Sequence, residues 1–377
     1  MNKKSLKFYQ QILIVIIVSV LVGFGAGLLG ELWLNDFLLT GSADDQKIET
    51  LTQRLNALTE KQEKKLKDIL AEKDISVSQT IESVRPALVK FYLNKNRTGA
   101  WSDIMLDNEF IGSGVVLTAD GWILTDEKVL KENKAELVVS FEKEIYKIES
   151  FVCDTSTDAC FAKIQADNLP VANLTNRDFL TSGQTALIVS TTEIFPSSIE
   201  CLYYNPIDKR GDLIHSSEVY YKNIALTDSL NKKWLGAPVV NLNGQVFGIV
   251  NSDNIVIPID NIQSIVKQAI SESIIVRNIL GIHYIDLSEA IGWEKYAEQK
   301  TGAIIFGAEG KAAVLSESPA AKAGLKINDI ILEIEGEIIN EENSLTNIIQ
   351  SYKPDQELKF TILRDEKEVE IKLTLTK

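Results

Sequence analysis

Histidine is nearly absent from this chain, with only His215 and His283 among 377 residues. A mechanism that uses imidazole therefore has very few positions available. Cysteine is also scarce: three residues exclude a disulfide-built scaffold, and no CxxC or Cys/His pattern predicts a zinc site, so we expect neither metal nor cofactor. Lysine and arginine total 39 against 53 acidic residues, and the net charge of -14 argues against a nucleic-acid partner.

The length and the 45% hydrophobic content are sufficient for two to three domains, each with its own core.

An uncharged apolar run, Ile12–Leu29, predicts a transmembrane helix over residues 11–34, because about 20 apolar residues span a bilayer as a helix. Lysines precede the run and acidic residues follow it. The positive-inside rule then predicts a single-pass protein of the cell membrane, with residues 1–10 cytoplasmic and the rest extracytoplasmic. A cleaved signal peptide is the alternative.

Residues 35–78 form a charged spacer. Between Gln46 and Asp74 it lacks glycine and proline, and Ile48, Leu51, Leu55 and Leu58 recur at spacings of three and four, which predicts a helix with a heptad seam. Fewer than three clean heptads remain. Two interpretations stay open: a solvated helical spacer, or a short coiled coil that joins protomers of a homo-oligomer.

Beyond Val77, short apolar runs alternate with glycine, asparagine, aspartate and proline, a pattern typical of an antiparallel barrel or sandwich. Ala119-Asp120-Gly121 and Asn243-Gly244 lie between such runs and predict hairpins, since each supplies a residue that tolerates positive φ. The predicted strands are Leu88–Tyr92, Gly114–Leu117, Trp122–Thr125, Leu137–Phe141, Ala159–Ile164, Thr185–Ser190, Ala237–Val240 and Val246–Val250.

Three segments in order, Ile111–Thr125, Asp154–Ile164 and Leu235–Ile249, resemble landmark segments of the HtrA (DegP-like) trypsin-fold proteases. The resemblance implies a mainly β protein, with a trypsin-like double β-barrel over residues 79–275 and a PDZ domain over 278–377. It also implies a trimer.

A serine protease of this fold needs a nucleophilic hydroxyl, an imidazole, a carboxylate that orients the imidazole, and backbone N–H donors for the oxyanion. The resemblance places Lys128 where the family has histidine, Asp158 at the carboxylate position and Leu235 where the family has serine. Lys128 is then either a solvated loop residue or an ion-pair partner of Asp158. Leu235 is expected to fill the former active-site cleft.

The turn that forms the oxyanion hole is altered too, because Lys233 replaces a glycine and Trp234 follows it. A Ser/Lys pair is a known substitute for histidine, but Leu235 supplies no hydroxyl. The motifs therefore predict a pseudoprotease with no intact catalytic residue.

Cys153 and Cys160 flank the Asp154–Asp158 turn. A hairpin there would bring them within bridging distance, and an extracytoplasmic location would favour oxidation; buried free thiols are the alternative.

The C-terminal module resembles an HtrA-type PDZ domain through Ser318–Leu325, Asn328–Ile331 and Glu335-Gly336. The resemblance implies a carboxylate-binding loop at Leu280, Gly281 and Ile282, with Leu345 and Ile348 on the opposite wall of a groove that takes an extended peptide C-terminus. These apolar residues could instead be ordinary core.

The sequence is compatible with three functions. The leading hypothesis is a membrane-anchored HtrA-like pseudoprotease that binds peptides or protein C-termini as a scaffold, chaperone-like binder or regulator of protein quality control. The alternatives are an active serine endopeptidase of envelope quality control and a structural stalk protein.

Overall fold

The structure is a computed structural model. It describes residues 13, 15–20, 22–24, 26–27, 30, 45–94, 104–131, 137–252, 254–293, 295, 299–308 and 310–377. These residues fall into two compact units, one that ends at Ile75 and one that begins at Ser76. The second unit contains two β-barrels and a third sheet.

The N-terminal part is helical where it is described. Residues between 13 and 30 are helical, and helix α1 covers Asp45–Val84. Leu55 and Leu58 of the predicted heptad seam are exposed. Among the described residues, no helix is both long and apolar enough to cross a membrane, and part of the predicted span at residues 11–34 lies outside them.

The first barrel closes in the strand order β1-β2-β3-β6-β5-β4. Its strands are β1 Leu88–Leu93, β2 Phe110–Val116, β3 Trp122–Asp126, β4 Leu137–Phe141, β5 Glu144–Cys153 and β6 Ala159–Ile164, and the short helix α2, Glu127–Lys131, follows β3. The hairpin predicted at Ala119-Asp120-Gly121 is confirmed, since β2 pairs with β3 across it. Gly121 has φ +105°, and a Cβ there would lie 2.3 Å from the Ile164 carbonyl oxygen, so the turn requires glycine.

The second barrel has the order β12-β8-β9-β11-β14-β13, closed by pairing of β12 with β13, and β7 extends it beside β13. Its strands are β7 Asn173–Leu174, β8 Thr185–Val189, β9 Ile194–Tyr204, β11 Asn223–Leu226, β12 Pro238–Val240, β13 Gln245–Ser252 and β14 Ile255–Pro258. The hairpin predicted at Asn243-Gly244 is confirmed by the β12–β13 pairing. Helix α3, Ile259–Glu272, follows and packs its apolar face on the first-barrel core.

The C-terminal domain is built on a sheet in the order β10-β15-β16-β17-β19-β20. Its own strands are β15 His283–Asp286, β16 Ala303–Ile305, β17 Ile330–Ile334, β18 Glu337–Ile338, β19 Glu357–Arg364 and β20 Lys367–Thr374, with helices α4 Pro319–Lys322 and α5 Leu345–Ser351. The remaining strand, β10 (His215–Ser216), comes from the loop between β9 and β11 of the second barrel. A segment of the barrel therefore completes the edge of the C-terminal sheet.

Buried charges join the two domains. Lys222 and Asp286 are 2% and 0% exposed, and Lys222 Nζ donates to Asp286 Oδ2 at 2.8 Å. The same ammonium donates to the Glu341 carbonyl oxygen at 2.8 Å, and Tyr221 OH donates to Asp286 Oδ2 at 2.8 Å. A buried charge is tolerated only when it is paired and hydrogen-bonded, and both members of this pair meet that condition.

The cysteine question left open by the sequence has a definite answer in the structure. Cys153 on β5 and Cys160 on β6 lie directly opposite each other, with Cα atoms 4.0 Å apart, and form a disulfide. The bond closes the base of the turn that carries Asp158. Cys201 is the free cysteine among the described residues.

We expect Lys222→Met to lower the free energy of unfolding by about 3–5 kcal/mol, because it leaves the Asp286 carboxylate buried without its cation. Urea unfolding of the full chain measures this effect. Lys233→Met is the matched control: it removes the same ammonium from an exposed pair with Glu193, where we expect a loss of at most ~1 kcal/mol. Equal losses of stability in the two variants would contradict the conclusion that Lys222 and Asp286 form a buried ion pair.

Candidate functional site

The positions that the resemblance assigned to the catalytic triad lie around one end of the first barrel. Lys128 is on α2 directly after β3, Asp158 ends the β5–β6 turn, and Leu235 precedes β12. The Glu127 amide donates to the Asp158 carbonyl oxygen at 2.7 Å, which fixes α2 against that turn. The Ser113 amide donates to the Leu235 carbonyl oxygen at 2.8 Å, which fixes the Leu235 turn against β2.

Lys128 is half-buried and is held by a neighbour that the sequence motifs did not reveal. Its Nζ donates to the backbone oxygen of Asn251 at 3.2 Å and lies 3.4 Å from Asn251 Oδ1. The side-chain amide of Asn251 in turn donates to Asp126 Oδ2 at 2.7 Å, and Asp126 Oδ1 accepts from the Lys128 amide at 2.8 Å. Among the ion pairs of the described residues there is none between Lys128 and Asp158.

Two carboxyl groups in this network have unusual proton affinities. Asp126 is fully buried, and this burial raises its pKa to about 7, although hydrogen bonds from the Lys128 amide and Asn251 oppose the rise. Burial also raises the pKa of Asp158, with the nearby Glu127 carboxylate adding to the rise and the Lys128 ammonium opposing it. Asp126 lies at the end of β3, two residues before Lys128, and the sequence analysis assigned it no role.

Backbone amides of the turn around Leu235 donate to acceptors within the same turn. Residues Lys232–Trp234 form a short 3-10 helix, and the Lys233 amide donates to the Asn231 side chain at 3.1 Å. The Leu235 amide donates to the Lys232 carbonyl oxygen at 3.2 Å. An oxyanion hole needs N–H donors aimed outward at a substrate oxygen, and these two amides already have partners inside the turn.

The side chains around this turn are apolar or charged rather than nucleophilic. Leu235 is half-buried at the margin of the first-barrel core. Trp234 is buried in the core of the second barrel, edge-on to Phe195, and lines one wall of a cleft of about 440 Å³. Lys233 is exposed, pairs with Glu193 and lies over the Trp234 ring at 5.3 Å. Trp234 therefore contributes apolar surface to both the cleft and the core of the second barrel.

The two histidines lie in the C-terminal sheet. His215 is buried on β10, stacked on the Tyr221 ring with centroids 3.7 Å apart, and its Nε2 is 3.3 Å from Glu289. His283 is on β15, and its Nδ1 is 2.7 Å from the Ala312 carbonyl oxygen. Among the described residues, no group of three or more His, Cys, Asp or Glu side chains could hold a metal ion.

The residues predicted to line a peptide groove lie in one loop and one helix of the C-terminal domain. Leu280, Ile282, Leu345 and Ile348 are at most 1% exposed and belong to the core cluster of the C-terminal domain, against which Tyr221 also packs. Gly281 has φ +80°, and a Cβ there would lie 2.3 Å from the Ser318 Cβ. The loop therefore requires glycine at this position.

The loop amides have a partner in the structure, a carboxylate that the sequence analysis did not single out. The Leu280 and Gly281 amides donate to Glu218 Oε1 at 3.1 and 2.8 Å. Glu218 lies 62 residues before Leu280, in the loop that also supplies β10. Local pattern carries no signal for so distant a contact.

Comparisons with known proteins agree with both halves of this architecture. Residues 112–249 match the trypsin-like peptidase domain, and residues 280–375 match the PDZ domain. The probable periplasmic serine endoprotease DegP-like of Marinomonas sp. (strain MWYL1) is 29% identical over 276 residues, which cover 70% of this chain and 56% of that protein. The corresponding protein of Halomonas elongata is 27% identical over 268 residues, 68% of this chain and 54% of that protein.

Solved structures give the same fold. The HtrA-type protease AlgW with decapeptide superposes with a TM-score of 0.59 at 18% identity, covering 79% of this chain and 98% of that one. The chain thus combines a trypsin-like peptidase domain with a PDZ domain and resembles the HtrA/DegP proteases in sequence and in fold. It spans about half the length of the curated DegP-like relatives it matches.

Within this HtrA-type framework, the glycine after Leu235 is still required by the backbone. Gly236 has φ +69°, and a Cβ there would lie 2.2 Å from the Ser113 carbonyl oxygen and 2.3 Å from Thr125 Oγ1. Thr125 Oγ1 donates to that same carbonyl oxygen at 2.7 Å. The turn therefore lies close to β2 and β3, and Leu235 is at the position where the resemblance implies a serine.

The raised pKa of Asp126 predicts a pH dependence of stability. In the folded protein this carboxyl group holds its proton up to about pH 7, whereas the unfolded group loses it near the ordinary value of 3.8. Its stabilising contribution is thus complete below about pH 4 and is lost as the pH rises to 7, by as much as ~1.4 kcal/mol per pH unit. We expect Asp126→Asn to remove this loss.

The free energy of unfolding of the wild type and of Asp126→Asn, measured by urea unfolding between pH 4.5 and 8, checks this expectation. The variant gains stability relative to the wild type as the pH rises to about 7 and gains no more above it. Asp167→Asn, at an exposed position, is the control. A difference in the free energy of unfolding between wild type and Asp126→Asn that does not change with pH would contradict the raised pKa of Asp126.

Proposed function

We propose that this chain is an HtrA-family pseudoprotease that binds the C-termini of peptides or proteins through its PDZ domain. The observation that carries the proposal is the turn at Leu235: an aliphatic side chain stands at the nucleophile position and the amides of the turn bond within it. A trypsin-like protease that has lost its triad accelerates peptide hydrolysis by at most roughly 10³- to 10⁴-fold over the uncatalysed reaction in water. Here the donors that would supply even this remainder are occupied.

The lysine at the histidine position supports the same conclusion. A general base must reach the proton that it removes, within hydrogen-bond distance. Lys128 Nζ bonds to Asn251, and Leu235 offers no proton to remove. The network Lys128–Asn251–Asp126 is, in this proposal, a structural replacement for the orienting system of a triad.

The PDZ domain supplies the binding activity. A loop with outward amides next to a free strand edge and an apolar wall takes an extended peptide and its terminal carboxylate. The Leu280 and Gly281 amides already hold a carboxylate, that of Glu218, which supports the anion-binding role of this loop. We propose Leu280, Gly281, Ile282, Leu345 and Ile348 as the lining of the groove.

The proposal includes the organisation inferred from sequence. Residues 11–34 anchor the chain in the cell membrane with residues 1–10 in the cytoplasm, residues 35–78 are a helical spacer, and the two domains at 79–275 and 278–377 are extracytoplasmic. The spacer joins protomers as a coiled coil, and the family resemblance implies a trimer. The names of the DegP-like relatives, which include the word periplasmic, support the extracytoplasmic location.

An active serine endoprotease is the second candidate, because the DegP-like relatives are named serine endoproteases. We expect the full chain to show no turnover of casein and no covalent labelling by a serine-directed fluorophosphonate, since the site offers no activated hydroxyl. Trypsin under the same conditions is the positive control. A labelled serine, located by peptide mass spectrometry, would reject the pseudoprotease and favour the endoprotease.

Peptide binding separates the pseudoprotease from a structural stalk. We expect fluorescein-labelled decapeptides that end in Val, Ile, Leu or Phe to bind when the C-terminus is free and not when it is amidated, because the loop amides require a carboxylate. Fluorescence anisotropy of the full chain measures the affinity. Binding that is indifferent to amidation, or absent in every variant described below, would count against the PDZ role.

A further inference from the structure

The Glu218 side chain is held as a ligand carboxylate would be. Its Oε1 accepts from two successive loop amides, those of Leu280 and Gly281. Its other oxygen, Oε2, accepts from Ser216 Oγ at 2.7 Å, and Ser217 Oγ donates to Oε1 at 2.7 Å. Hydrogen bonds to an ionised group are the stronger ones, so this carboxylate is both anchored and oriented.

The residues before Glu218 pair with the sheet edge next to the loop. His215 lies opposite Tyr284 and Ser216 opposite His283 in an antiparallel ladder. The Ser217 amide then donates to the Ile282 carbonyl oxygen at 3.0 Å, and Ser217 Oγ accepts from the Ile282 amide at 3.1 Å. Residues 215–218 are therefore a short added strand that ends in a carboxylate on the loop, which is the arrangement of a bound chain end.

The segment also contacts the opposite wall of the groove and the barrel. Thr346 Oγ1 on α5 lies 3.5 Å from the Val219 carbonyl oxygen, and Tyr221 packs against the core cluster that contains Leu345 and Ile348. On the barrel side, Ser156 Oγ donates to the Glu218 carbonyl oxygen and the Tyr220 amide donates to the Ser156 carbonyl oxygen at 3.1 Å. Ser156 belongs to the turn closed by the Cys153–Cys160 disulfide.

We propose that residues 215–218 are an intramolecular ligand of the PDZ domain, in which the Glu218 side chain takes the place of a terminal carboxylate, so that a free chain end binds only by displacing this segment. The proposal rests on the peptide-binding function proposed above. Both ligands need the Leu280 and Gly281 amides and the Ile282 edge, and these groups serve one of them at a time. Because the segment is tethered, its effective concentration at the groove is high. The apparent affinity for an external peptide is then the intrinsic affinity multiplied by the fraction of time that the groove is free.

Displacement has a defined structural consequence. A peptide that takes the loop amides releases the Ser217 amide from Ile282 and frees Glu218 from Ser156 on the disulfide-closed turn. The Lys222–Asp286 pair lies four residues beyond Glu218 and does not depend on these bonds. The domains therefore stay joined while the segment leaves the groove.

The test compares affinities of the same fluorescein-labelled decapeptides for variants of the full chain. We expect Glu218→Ala to tighten binding about tenfold or more over the wild type, and Glu218→Gln, which keeps an acceptor but loses the charge, to give a smaller gain. Glu317→Ala is the matched control, because Glu317 is an exposed acidic residue in the turn before Ser318. It is expected to change affinity by less than about twofold.

Hydrogen exchange of the wild type supplies a second readout that does not depend on a variant. Saturation with peptide is expected to speed exchange at the Ser217 and Tyr220 amides, which lose their acceptors. Equal affinities for wild type and Glu218→Ala, or peptide binding that leaves the Ser217 amide protected, would overturn the intramolecular ligand while leaving the peptide-binding function intact. A failure of every peptide to bind wild type and both Glu218 variants would instead reject the peptide-binding function, and with it the intramolecular ligand.

Discussion

The buried ion pair between Lys222 and Asp286 joins the second barrel to the C-terminal domain, and the arrangement of the peptide-binding loop relative to the barrel depends on this junction. Both side chains are almost fully buried, one from the second barrel and one from the PDZ sheet. Removing either charge would leave the other buried without its partner, which is far more costly than losing one member of an exposed pair. Since Lys222 ends the loop between β9 and β11, the pair also holds the end of that loop beside the C-terminal sheet, within reach of β15 and of the carboxylate loop.

At the end of the barrel where the resemblance places the triad, backbone packing and side-chain hydrogen bonds can be considered separately. The backbone requirements remain: Gly236 must be glycine because Ser113 and Thr125 leave no room for a Cβ. Among the side chains, Lys128 bonds to Asn251 and Asn251 bonds to the buried Asp126. The molecule therefore has a turn at Leu235 whose amides bond within it, and a loop at Leu280 and Gly281 whose amides hold the Glu218 carboxylate.

Strands with a buried face were accessible to sequence reasoning, and others were not. Leu137–Phe141 and Ala159–Ile164 were predicted with the bounds that the structure shows, because their apolar residues form continuous runs between turn residues. β5, Glu144–Cys153, was missed because most of its side chains are exposed and its charged residues hide the alternation. β10 was missed because two residues form a strand only where a neighbouring domain offers an edge.

The sequence alone determined what the molecule lacks and where its turns bend. The identity of Lys128 and Leu235 is enough to remove the imidazole and the hydroxyl from the positions implied by the family resemblance, and Gly121 and Gly281 occupy conformations that glycine adopts most readily. Only the tertiary structure decided which polar groups meet. Asn251 reaches Lys128 across 123 residues and Glu218 reaches Leu280 across 62, and neither contact follows from local spacing, because each is formed when distant segments are brought together by core packing.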